Sequence, residues 1–300
     1  MRPHNTVAII GAGSVGGTIA YGLVMRSVAQ EILLVDMSLG ILQGQAVDLS
    51  EAAIDTGVTV RAATFHEAGR CDVIIITADT PQQEFEERQR WIHRSKKLLH
   101  SIVHAMSPIQ PKALIILTAE PMDALVRYLN DLTSLPSHHI CGVGTCLSGL
   151  RLKAHLAHLS NVSSEHISAH VLGSLQHPVV AWHSATIDGK PAVDYGIINE
   201  QKETLYRVSH NDRTAWINGR KGGAWFGVST VVTNLVKSAL TSSGSTFVLS
   251  TYVDQFRGCL SVPVIVSTEG FQKQNKVELS REEIQELHSV ASTNNKEYQE

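Results

Sequence analysis

The fold of this 300-residue chain is decided by one stretch, Thr6-Val7-Ala8-Ile9-Ile10-Gly11-Ala12-Gly13-Ser14-Val15-Gly16. A short apolar run leads directly into the pattern Gly-x-Gly-x-x-Gly, and a helix-like segment, Ser14–Met25, follows it. A glycine-rich turn between a buried strand and a helix is typical of the dinucleotide-binding βαβ unit. In this unit Gly11 permits the tight turn, Gly13 lets the backbone approach a pyrophosphate, and Gly16 lets the strand and helix pack closely.

An acidic residue stands where a dinucleotide site needs one. Asp36 ends the next apolar run, twenty residues after Gly16. A carboxylate at that point accepts hydrogen bonds from a ribose diol and repels a 2′-phosphate, and Met37 rather than an arginine follows it. The sequence therefore predicts NAD rather than NADP, with the pyrophosphate at the helix N-terminus. The expected cofactor contacts are Gly11, Gly13, Ser14, Val15, Gly16, Asp36, Thr77 and Ala78.

Short apolar runs alternate with helix-like segments throughout the first half of the chain. Runs that consist almost entirely of Val, Ile and Leu are typical of strands buried on both faces, as in a parallel sheet covered by helices. This alternation predicts an α/β fold of the Rossmann type, a doubly wound parallel sheet. The predicted strands are Val7–Ile10, Ile32–Val35, Val73–Ile76 and Leu114–Leu117, and the predicted helices are Ser14–Met25, Leu42–Ala53 and Arg88–Ala105.

The second half has a different pattern, with alternating strand-like pieces, one long helical stretch at Gly222–Ser242 and a final helix. The final helix is expected to start at Ser280, because Glu283 three residues later completes a capping box. The expected strands are His166–Leu172, Val179–Ala185, Thr246–Val253 and Val262–Ser267. We therefore predict a Rossmann domain over residues 1–145 and a C-terminal α+β substrate domain over residues 146–300.

Composition and charge exclude several classes of function. The net charge of −3 and the pI near 6.6 give no electrostatic basis for binding nucleic acid or an anionic membrane. No apolar stretch reaches the roughly 18 residues of a membrane span. The four cysteines have the spacing of neither a zinc site nor a CxxC redox pair, so no metal is expected. Reduced thiols and the lack of a signal-peptide pattern indicate a cytoplasmic protein.

One residue is unfavourable for tight cofactor binding. Thr77 and Ala78 end the strand that would approach the dinucleotide from its other side, and Asp79 follows them directly. A carboxylate beside a pyrophosphate is repulsive unless its side chain turns outward.

Over nearly its whole length the chain resembles lactate dehydrogenases, members of the lactate/malate dehydrogenase family. The resemblance rests on the family motifs GxGxxG, LxD, DL and TAG, which correspond to Gly11–Gly16, Leu34-Val35-Asp36, Asp48-Leu49 and Thr77-Ala78. The segment 61–69, Arg-Ala-Ala-Thr-Phe-His-Glu-Ala-Gly, is most similar to fungal members. The resemblance implies an NAD-dependent dehydrogenase fold, a small carboxylate substrate, and a homodimer or homotetramer.

The family has a mobile active-site loop that ends in an arginine. The corresponding segment is Gln82-Gln83-Glu84-Phe85-Glu86-Glu87-Arg88. By this correspondence Arg88 would polarise the substrate carbonyl. Gln83 would favour lactate over malate, because malate enzymes have arginine at that position. The same segment is also compatible with the charged start of an amphipathic helix.

The family binds the substrate carboxylate with the arginine of an LDxxR pattern, which reads Leu147-Ser148-Gly149-Leu150-Arg151 here. Arg151 corresponds to that arginine, whose two-pronged guanidinium contact suits a carboxylate. Ser148 replaces the aspartate that orients the catalytic histidine and stabilises its protonated form. A serine hydroxyl can form a hydrogen bond, but it carries no negative charge.

The catalytic histidine of the family lies in a GxHG pattern, and the corresponding segment is Gly173-Ser174-Leu175-Gln176-His177-Pro178. Direct counting puts Leu175, which cannot carry a proton, in the histidine position. His177 is the rival, because Trp182 stands one residue earlier than the family's tryptophan and a gap would shift the correspondence. Pro178 restricts the backbone beside it. We favour Leu175 in that position and interpret His177 first as a loop residue and second as an acid–base group.

Two further positions depart from the family pattern. In Thr118-Ala119-Glu120-Pro121-Met122-Asp123, Glu120 replaces the asparagine that lies beside the substrate hydroxyl and the nicotinamide. Its carboxylate would repel a carboxylate substrate, or would serve as a new proton carrier if burial raises its pKa. The family's threonine near the nicotinamide corresponds to Gly222-Gly223, so Gly223 would line a roomier pocket. The candidate substrate contacts are Arg151, Gln83, Ser148, Leu175 and Gly223.

The intact cofactor motif and the changed catalytic positions favour a repurposed enzyme. It would bind NAD and, through Arg88 and Arg151, a carboxylate-bearing small molecule. It would catalyse a non-standard reaction, such as an isomerisation or cyclisation in specialised metabolism, with Glu120 and His177 as proton carriers. One alternative is a working NAD-dependent 2-hydroxyacid dehydrogenase that uses His177, and the other is a non-catalytic NAD-binding protein. Loss of a general acid–base lowers a rate by about 10²- to 10⁴-fold, so the hypotheses differ measurably.

Overall fold

The computed structural model describes residues 5–196, 200–209, 212–241, 243–273 and 277–299. Its strands are β1 Thr6–Ile10, β2 Glu31–Val35, β3 Thr59–Ala62, β4 Val73–Ile76, β5 Leu114–Leu117, β6 Ile140–Gly142, β7 Ile167–Ser168, β8 Val171–Gly173, β9 Pro178–Val180, β10 Thr186–Ile187, β11 Lys190–Pro191, β12 Ser245–Val253, β13 Gly258–Ser267 and β14 Gly270–Lys273. Its helices are α1 Ser14–Met25, α2 Leu39–Ala52, α3 Phe65–Ala68, α4 Arg88–Met106, α5 Met122–Leu132, α6 Cys146–Ser160, α7 Lys202–Ser209, α8 Asp212–Lys221, α9 Trp225–Thr241 and α10 Arg281–Gln299.

Six parallel strands form the sheet that positions the glycine-rich turn. Their order is β3-β2-β1-β4-β5-β6, and the side chains of β4 and β5 are buried on both faces. The chain runs outward from β1 in one direction through β2 and β3, then returns to β4 on the other side. Ligands of open α/β sheets bind at the carboxyl ends of the strands beside such a reversal. Gly11 directly follows β1 at this point, and the predicted doubly wound sheet is confirmed.

The strands of the second half extend this sheet. β12 pairs antiparallel with β6 through Ser250 and Gly142, and β13, β8 and β9 follow in order. β7, β10 and β11 form a second, three-stranded sheet. Residues of α9, β12 and β13 belong to the same apolar core as the Rossmann strands. The C-terminal half therefore has the mixed helix and strand content that the sequence indicates, packed firmly against the first half.

Two of the predicted strands in the second half are wrong in extent. In place of one strand over His166–Leu172, the chain has β7 and β8, which belong to different sheets. In place of a strand over Val179–Ala185, β9 ends at Val180 and a turn follows, in which the Ala185 N–H donates to the Trp182 carbonyl oxygen at 3.2 Å. Apolar side chains on both sides of each break stay buried, so the apolar pattern does not reveal where the backbone leaves its sheet.

The starts of two helices show how local chemistry sets their limits. α9 begins at Trp225 rather than at Gly222, because Gly222 has a left-handed φ of +82°. Its predicted end at Ser242 lies outside the described residues. The capping box of α10 is confirmed: the Ser280 N–H donates to Glu283 Oε2 at 2.9 Å, and the Glu283 N–H donates to Ser280 Oγ at 3.2 Å.

Within the described ranges, no helix is long and apolar enough to cross a membrane.

Candidate functional site

Glycine is required at two positions of the turn after β1. Gly11 has a left-handed φ of +108°, and a Cβ there would lie 2.5 Å from Thr77 Oγ1 and 2.8 Å from the Ala78 nitrogen. A Cβ on Gly16 would lie 1.9 Å from the carbonyl oxygen of Gly11. Both contacts are far shorter than a van der Waals separation. The close packing of β1, β4 and α1 therefore fixes glycine at both positions.

Gly13 differs from its neighbours, because nothing in the protein lies within 4 Å of a Cβ placed on it. It has an ordinary φ of −72°, immediately precedes α1 and lines a cleft above the sheet. No side chain caps this end of α1, so its N–H groups are open to an anion. The internal packing does not need glycine at this position, whereas a closely bound pyrophosphate does.

Asp36 lies directly after β2 with both carboxylate oxygens held by the backbone. Its Oδ2 accepts a hydrogen bond from the Ala12 N–H at 2.7 Å, and its Oδ1 accepts one from the Ser38 N–H at 2.8 Å. Each carboxylate oxygen keeps a second lone pair that can accept from a ribose hydroxyl. The half-buried side chain is thus fixed in orientation and lines the same cleft as the glycine turn.

A cleft of about 750 Å³ lies at the carboxyl ends of β1, β2 and β4. Its volume is within the range of about 300–1,000 Å³ that small-molecule sites have. Gly223 lines this cleft as well. The cleft fits a dinucleotide, with the pyrophosphate at the N-terminus of α1 and a ribose at Asp36. Its walls include all the expected cofactor contacts, Gly11, Gly13, Ser14, Val15, Gly16, Asp36, Thr77 and Ala78.

Asp79 also lines the cleft, next to Thr77 and Ala78. Its side chain remains exposed, but the surrounding protein removes enough water to raise the pKa of its carboxyl. The carboxyl group expected to disfavour the pyrophosphate therefore does lie in the wall of the cleft.

Arg88 is the first residue of α4, and an acid of the last helix holds it. Its Nε lies 2.7 Å from Glu297 Oε1, and its guanidinium lies over the ring of Trp91. Gln83 is exposed in the preceding loop, where its N–H donates to Glu86 Oε2 at 3.0 Å. Neither Arg88 nor Gln83 lines the cleft. A substrate contact by Arg88 therefore requires it to leave Glu297.

Glu120 contacts the turn between β8 and β9, where the family's histidine is expected. Its Oε2 accepts hydrogen bonds from the Met122 N–H at 3.3 Å and from Gln176 Nε2 at 3.4 Å. Burial raises the pKa of its carboxyl, the two hydrogen bonds and Arg88 lower it, and Asp79 raises it. The net pKa is raised, so Glu120 can hold or release a proton closer to neutral pH than an ordinary glutamate.

The sequence analysis missed Asp123, a second carboxyl near Glu120. Its Oδ1 accepts a hydrogen bond from Ser250 Oγ. Burial raises its pKa to about 7, Ser250 and Arg88 lower it, and Glu120 and Glu297 raise it. We call Arg88, Glu120, Asp123 and Glu297 the carboxylate cluster. The signal in the sequence is a second acid, three residues after Glu120, at the start of a helix.

We expect Asp123→Asn to flatten the pH dependence of stability between about pH 4 and pH 7. An unfolded aspartate loses its proton near pH 4, whereas the folded Asp123 keeps its proton to about pH 7. In that window the native state binds more protons than the unfolded state, so the free energy of unfolding falls as the pH rises. One pKa unit corresponds to about 1.4 kcal/mol. Asp123→Asn should therefore remove on the order of 2–4 kcal/mol of the change in the free energy of unfolding across this pH range.

The measurement is thermal unfolding of the wild-type protein and the variant across this pH range. Asp55→Asn is the matched control, because Asp55 is exposed on the surface. Its profile should follow that of the wild type. Parallel profiles for the wild type and Asp123→Asn would show that Asp123 titrates like an ordinary surface acid.

Helix α6 carries both residues that correspond to the LDxxR pattern. Arg151 is half-buried, its Nη2 donates to Thr214 Oγ1 at 3.0 Å, and it lines a second cavity of about 620 Å³. Burial lowers the pKa of Arg151, and the nearby cation Arg213 lowers it further. Ser148, one turn earlier, is only 3% exposed. Arg151 is thus accessible to a ligand carboxylate, and Ser148 places an uncharged hydroxyl in the interior.

The turn between β8 and β9 carries both residues that compete for the histidine position. The Ser174 N–H donates to the carbonyl oxygen of His177 at 3.2 Å, and the His177 N–H donates to Ser174 Oγ at 3.0 Å, which closes a tight hairpin. Leu175 is half-buried, whereas Gln176 and His177 are exposed. The turn brings the Gln176 amide to Glu120 and leaves the histidine at its exposed end.

The structure groups the candidate residues in two places. The cleft and the second cavity share Ala224 as a lining residue, and between them they contain the cofactor residues, Gly223 and Arg151. The carboxylate cluster contains Arg88 and Glu120 and contacts the hairpin turn. Arg88 and Glu120 line neither cavity, and the remaining candidates, Gln83, Ser148, Leu175 and His177, lie outside both cavities and outside the carboxylate cluster.

The two halves of the chain match the two domains of one family. The profile of the lactate/malate dehydrogenase NAD binding domain matches residues 5–142, and that of the alpha/beta C-terminal domain matches residues 145–300. The chain is similar to L-lactate dehydrogenase A of the fungus Rhizopus oryzae, with 32% identity over 281 residues, 93% of this chain and 88% of that one. It is also similar to L-lactate dehydrogenase of Salinibacter ruber, with 29% identity over 302 residues, 97% and 96% of the two chains.

Solved structures have the same fold. A lactate dehydrogenase from a Medee basin deep-sea metagenome library superposes with a TM-score of 0.92 at 20% identity, over 100% of this chain and 99% of that chain. The minor L-lactate dehydrogenase of Enterococcus mundtii superposes with a TM-score of 0.91 at 23% identity, over 98% of both chains. The cofactor of the matched N-terminal domain is NAD(H), which the described cleft fits. The chain belongs to the lactate/malate dehydrogenase family.

Proposed function

We propose that this protein binds NAD(H) and a carboxylate-bearing small molecule, and that it acts on this molecule by chemistry other than the standard lactate oxidation of its family. The observation that carries the proposal is the hydrogen bond between Gln176 and Glu120. It joins the turn that holds Leu175 to a carboxyl whose pKa is raised. An intact cofactor cleft is thus combined with an altered acid–base system.

Each candidate residue has a proposed role. Gly13 and the N-terminus of α1 would bind the pyrophosphate, and Asp36 would bind a ribose. Bound NAD(H) supplies a hydride donor or acceptor. Arg151 would bind the substrate carboxylate through two parallel N–H donors. Glu120 would transfer the proton, with Gln176 holding one of its oxygens.

Arg88 would contribute only after it leaves Glu297. The two side chains are partly exposed, at 32% and 23%, and ion pairs near the surface contribute little to stability, commonly about 0–1 kcal/mol. A substrate anion can therefore compete for the guanidinium. This would let Arg88 polarise a substrate carbonyl, as the resemblance to the family implies.

The altered acid–base system favours a non-redox reaction of the isomerase or cyclase type on a specialised metabolite. Oxidation of a 2-hydroxy acid needs a base for the hydroxyl proton while the hydride leaves, and Leu175 cannot serve as one. Proton transfer next to a carbonyl needs a positioned carboxyl group, and Glu120 is one whose pKa burial raises. In that case the cofactor would be structural or would act in a transient step.

A working NAD-dependent 2-hydroxyacid dehydrogenase is the second candidate. It is favoured by the position of His177, one residue from Gln176 in the turn that contacts Glu120. This candidate predicts steady NADH oxidation with some 2-keto acid, and loss of that activity in His177→Ala. A non-catalytic NAD-binding protein would bind the cofactor and turn over no substrate.

We also propose that the protein is a cytoplasmic homodimer or homotetramer. Clusters of exposed apolar side chains mark protein interaction surfaces. The cysteines are free thiols, as is usual in a reducing compartment. Large exposed apolar residues on α1 and α2 are Tyr21, Met25, Leu39, Ile41 and Val47.

The cofactor part of the proposal is tested by Asp36→Ala, which is expected to weaken NADH binding by about 10- to 100-fold. The variant loses a charged acceptor for the ribose hydroxyls. Its preference for NADH over NADPH should also narrow, because the carboxylate that repels a 2′-phosphate is gone. Titration of NADH fluorescence measures both effects, with Asp55→Ala as the control. Unchanged NADH affinity in Asp36→Ala would rule out this cofactor site.

A further inference from the structure

The second cavity, of about 620 Å³, has walls whose charged groups are all positive. Apolar and aromatic side chains make up the rest of its lining, so the cavity combines an apolar surface with cations. None of the described residues that line it is acidic. The four cations are Arg151, Arg213, Arg220 and Lys221, and the two aromatic residues are Trp216 and Phe226.

Helix α8 separates this cavity from the cofactor cleft. Thr214 and Asn218 lie four residues apart, and hence on one face of α8, and both line the cleft. Trp216 and Arg220, again four residues apart, line the cavity. The two spaces adjoin, because Ala224 lines both of them. A ligand in the cavity would therefore lie next to a dinucleotide in the cleft.

The positive charges around the cavity contribute to the lowered pKa values of neighbouring basic groups. Burial lowers the pKa of Arg151, and the charge of Arg213 lowers it further. Arg213 also contributes to the lowered pKa of His155, after burial and His158. Cations that repel one another in this way gain from an anion placed between them.

Two of the cations are stacked on aromatic rings. The Arg220 guanidinium lies 3.9 Å from the ring centroid of Trp216, and Lys221 Nζ lies 4.1 Å from that of Phe226. Stacking restrains each cation. Arg220 Nη1 donates to the Trp216 carbonyl oxygen at 3.3 Å, and the other N–H groups of its guanidinium can donate to a ligand. The cavity thus offers restrained donors beside flat apolar surfaces.

We infer that the substrate of the proposed reaction is a carboxylate with a planar apolar body and a second negative group. One carboxylate would bind Arg151, the body would cover Leu147 and Phe226, and the second anion would bind near Arg213 and Arg220. This inference rests on the proposed function, because it assigns Arg151 to the substrate. A three-carbon 2-hydroxy acid would leave most of the cavity empty and the outer cations without a partner.

Terephthalate and isophthalate test this inference, with benzoate as the monoanionic counterpart. Calorimetric titration of the NADH-saturated protein is expected to show at least one of the dicarboxylates binding about tenfold or more tightly than benzoate. The double variant Arg213→Gln/Arg220→Gln should lose this advantage, because it should weaken the binding of the dicarboxylates more than that of benzoate. Lys221→Gln provides a second, milder variant with the same expected direction. Arg207→Gln is the matched control, since Arg207 is exposed and pairs with Glu203 outside the cavity.

Equal affinity for benzoate and both dicarboxylates would overturn the inference, and so would an advantage that survives in the double variant. The proposed function is tested separately in the same samples. If NADH binds and Arg151→Gln weakens benzoate, the carboxylate site stands, whatever the dicarboxylates do. If Arg151→Gln has no effect on any of the acids, the proposed function fails and the inference fails with it.

Discussion

The double variant Leu175→His/Ser148→Asp is expected to reduce pyruvate with NADH about 10²- to 10⁴-fold faster than the wild-type protein. The histidine would supply the proton that the family's reaction needs, and the aspartate would orient it and stabilise its charged form. Ser148 is only 3% exposed, so an aspartate introduced there alone would be a buried charge without a partner and would lower the free energy of unfolding. The measurement is kcat/KM for pyruvate from NADH absorbance.

The two substitutions should be coupled, so that the double variant exceeds the combined effects of the single variants. Leu175→Asn is the matched control, because a neutral amide cannot carry the proton. His177→Ala added to the double variant should leave its rate unchanged. A double variant as slow as the wild type, or an equal gain with Leu175→Asn, would contradict the assignment of Leu175 to the histidine position.

Gly16→Ala is expected to weaken NADH binding and to destabilise the fold, whereas Gly13→Ala should weaken only the binding. A Cβ on Gly16 would lie 1.9 Å from the Gly11 carbonyl oxygen, so the strand and helix would have to move apart. Such overpacking reduces stability by about 1–3 kcal/mol. A Cβ on Gly13 meets nothing within 4 Å and would occupy space that the pyrophosphate needs. For Gly13→Ala we expect NADH affinity to fall by about tenfold or more, which corresponds to at least ~1.4 kcal/mol of binding free energy.

Urea unfolding and NADH fluorescence distinguish the two variants. Gly44→Ala is the control, because Gly44 is an exposed helical glycine with nothing within 4 Å of its Cβ position. It should gain about 0.5–1 kcal/mol of stability and bind NADH normally. If Gly13→Ala bound NADH as tightly as the wild type, the pyrophosphate would not lie at this turn.

Elements whose limits depend on local chemistry could be predicted from the sequence. The expected bounds of α1, β4 and β5 are confirmed at both ends. Strands buried on both faces need uninterrupted apolar residues, and a glycine turn marks where a helix begins. The capping box at Ser280 and Glu283 could be predicted for the same reason, because its two residues are close in sequence.

Features that depend on contacts between distant segments could not be predicted. Nothing in the pattern around Arg88 indicates that Glu297, near the other end of the chain, pairs with it. The raised pKa of Asp123 arises from burial and from charges on other elements. The change of sheet between β7 and β8 likewise has no counterpart in the apolar pattern.

The candidate site could be predicted from the sequence only in part. The cleft brings together the residues expected from the glycine pattern, because that pattern is tied to one local geometry. The assignments of Leu175 and Ser148 depend on counting along segments that differ from the family. These assignments and the domain boundary near residue 145 stay predictions that the variants above address.

The most direct test of the central claim is NADH absorbance over time, with concentrated wild-type protein and pyruvate, in a cuvette where NADH fluorescence also reports binding. We predict bound NADH together with pyruvate turnover well below the range of about 1–10³ s⁻¹ that ordinary enzymes reach. Steady oxidation within that range, lost in His177→Ala, would contradict the account and establish a working dehydrogenase that uses His177.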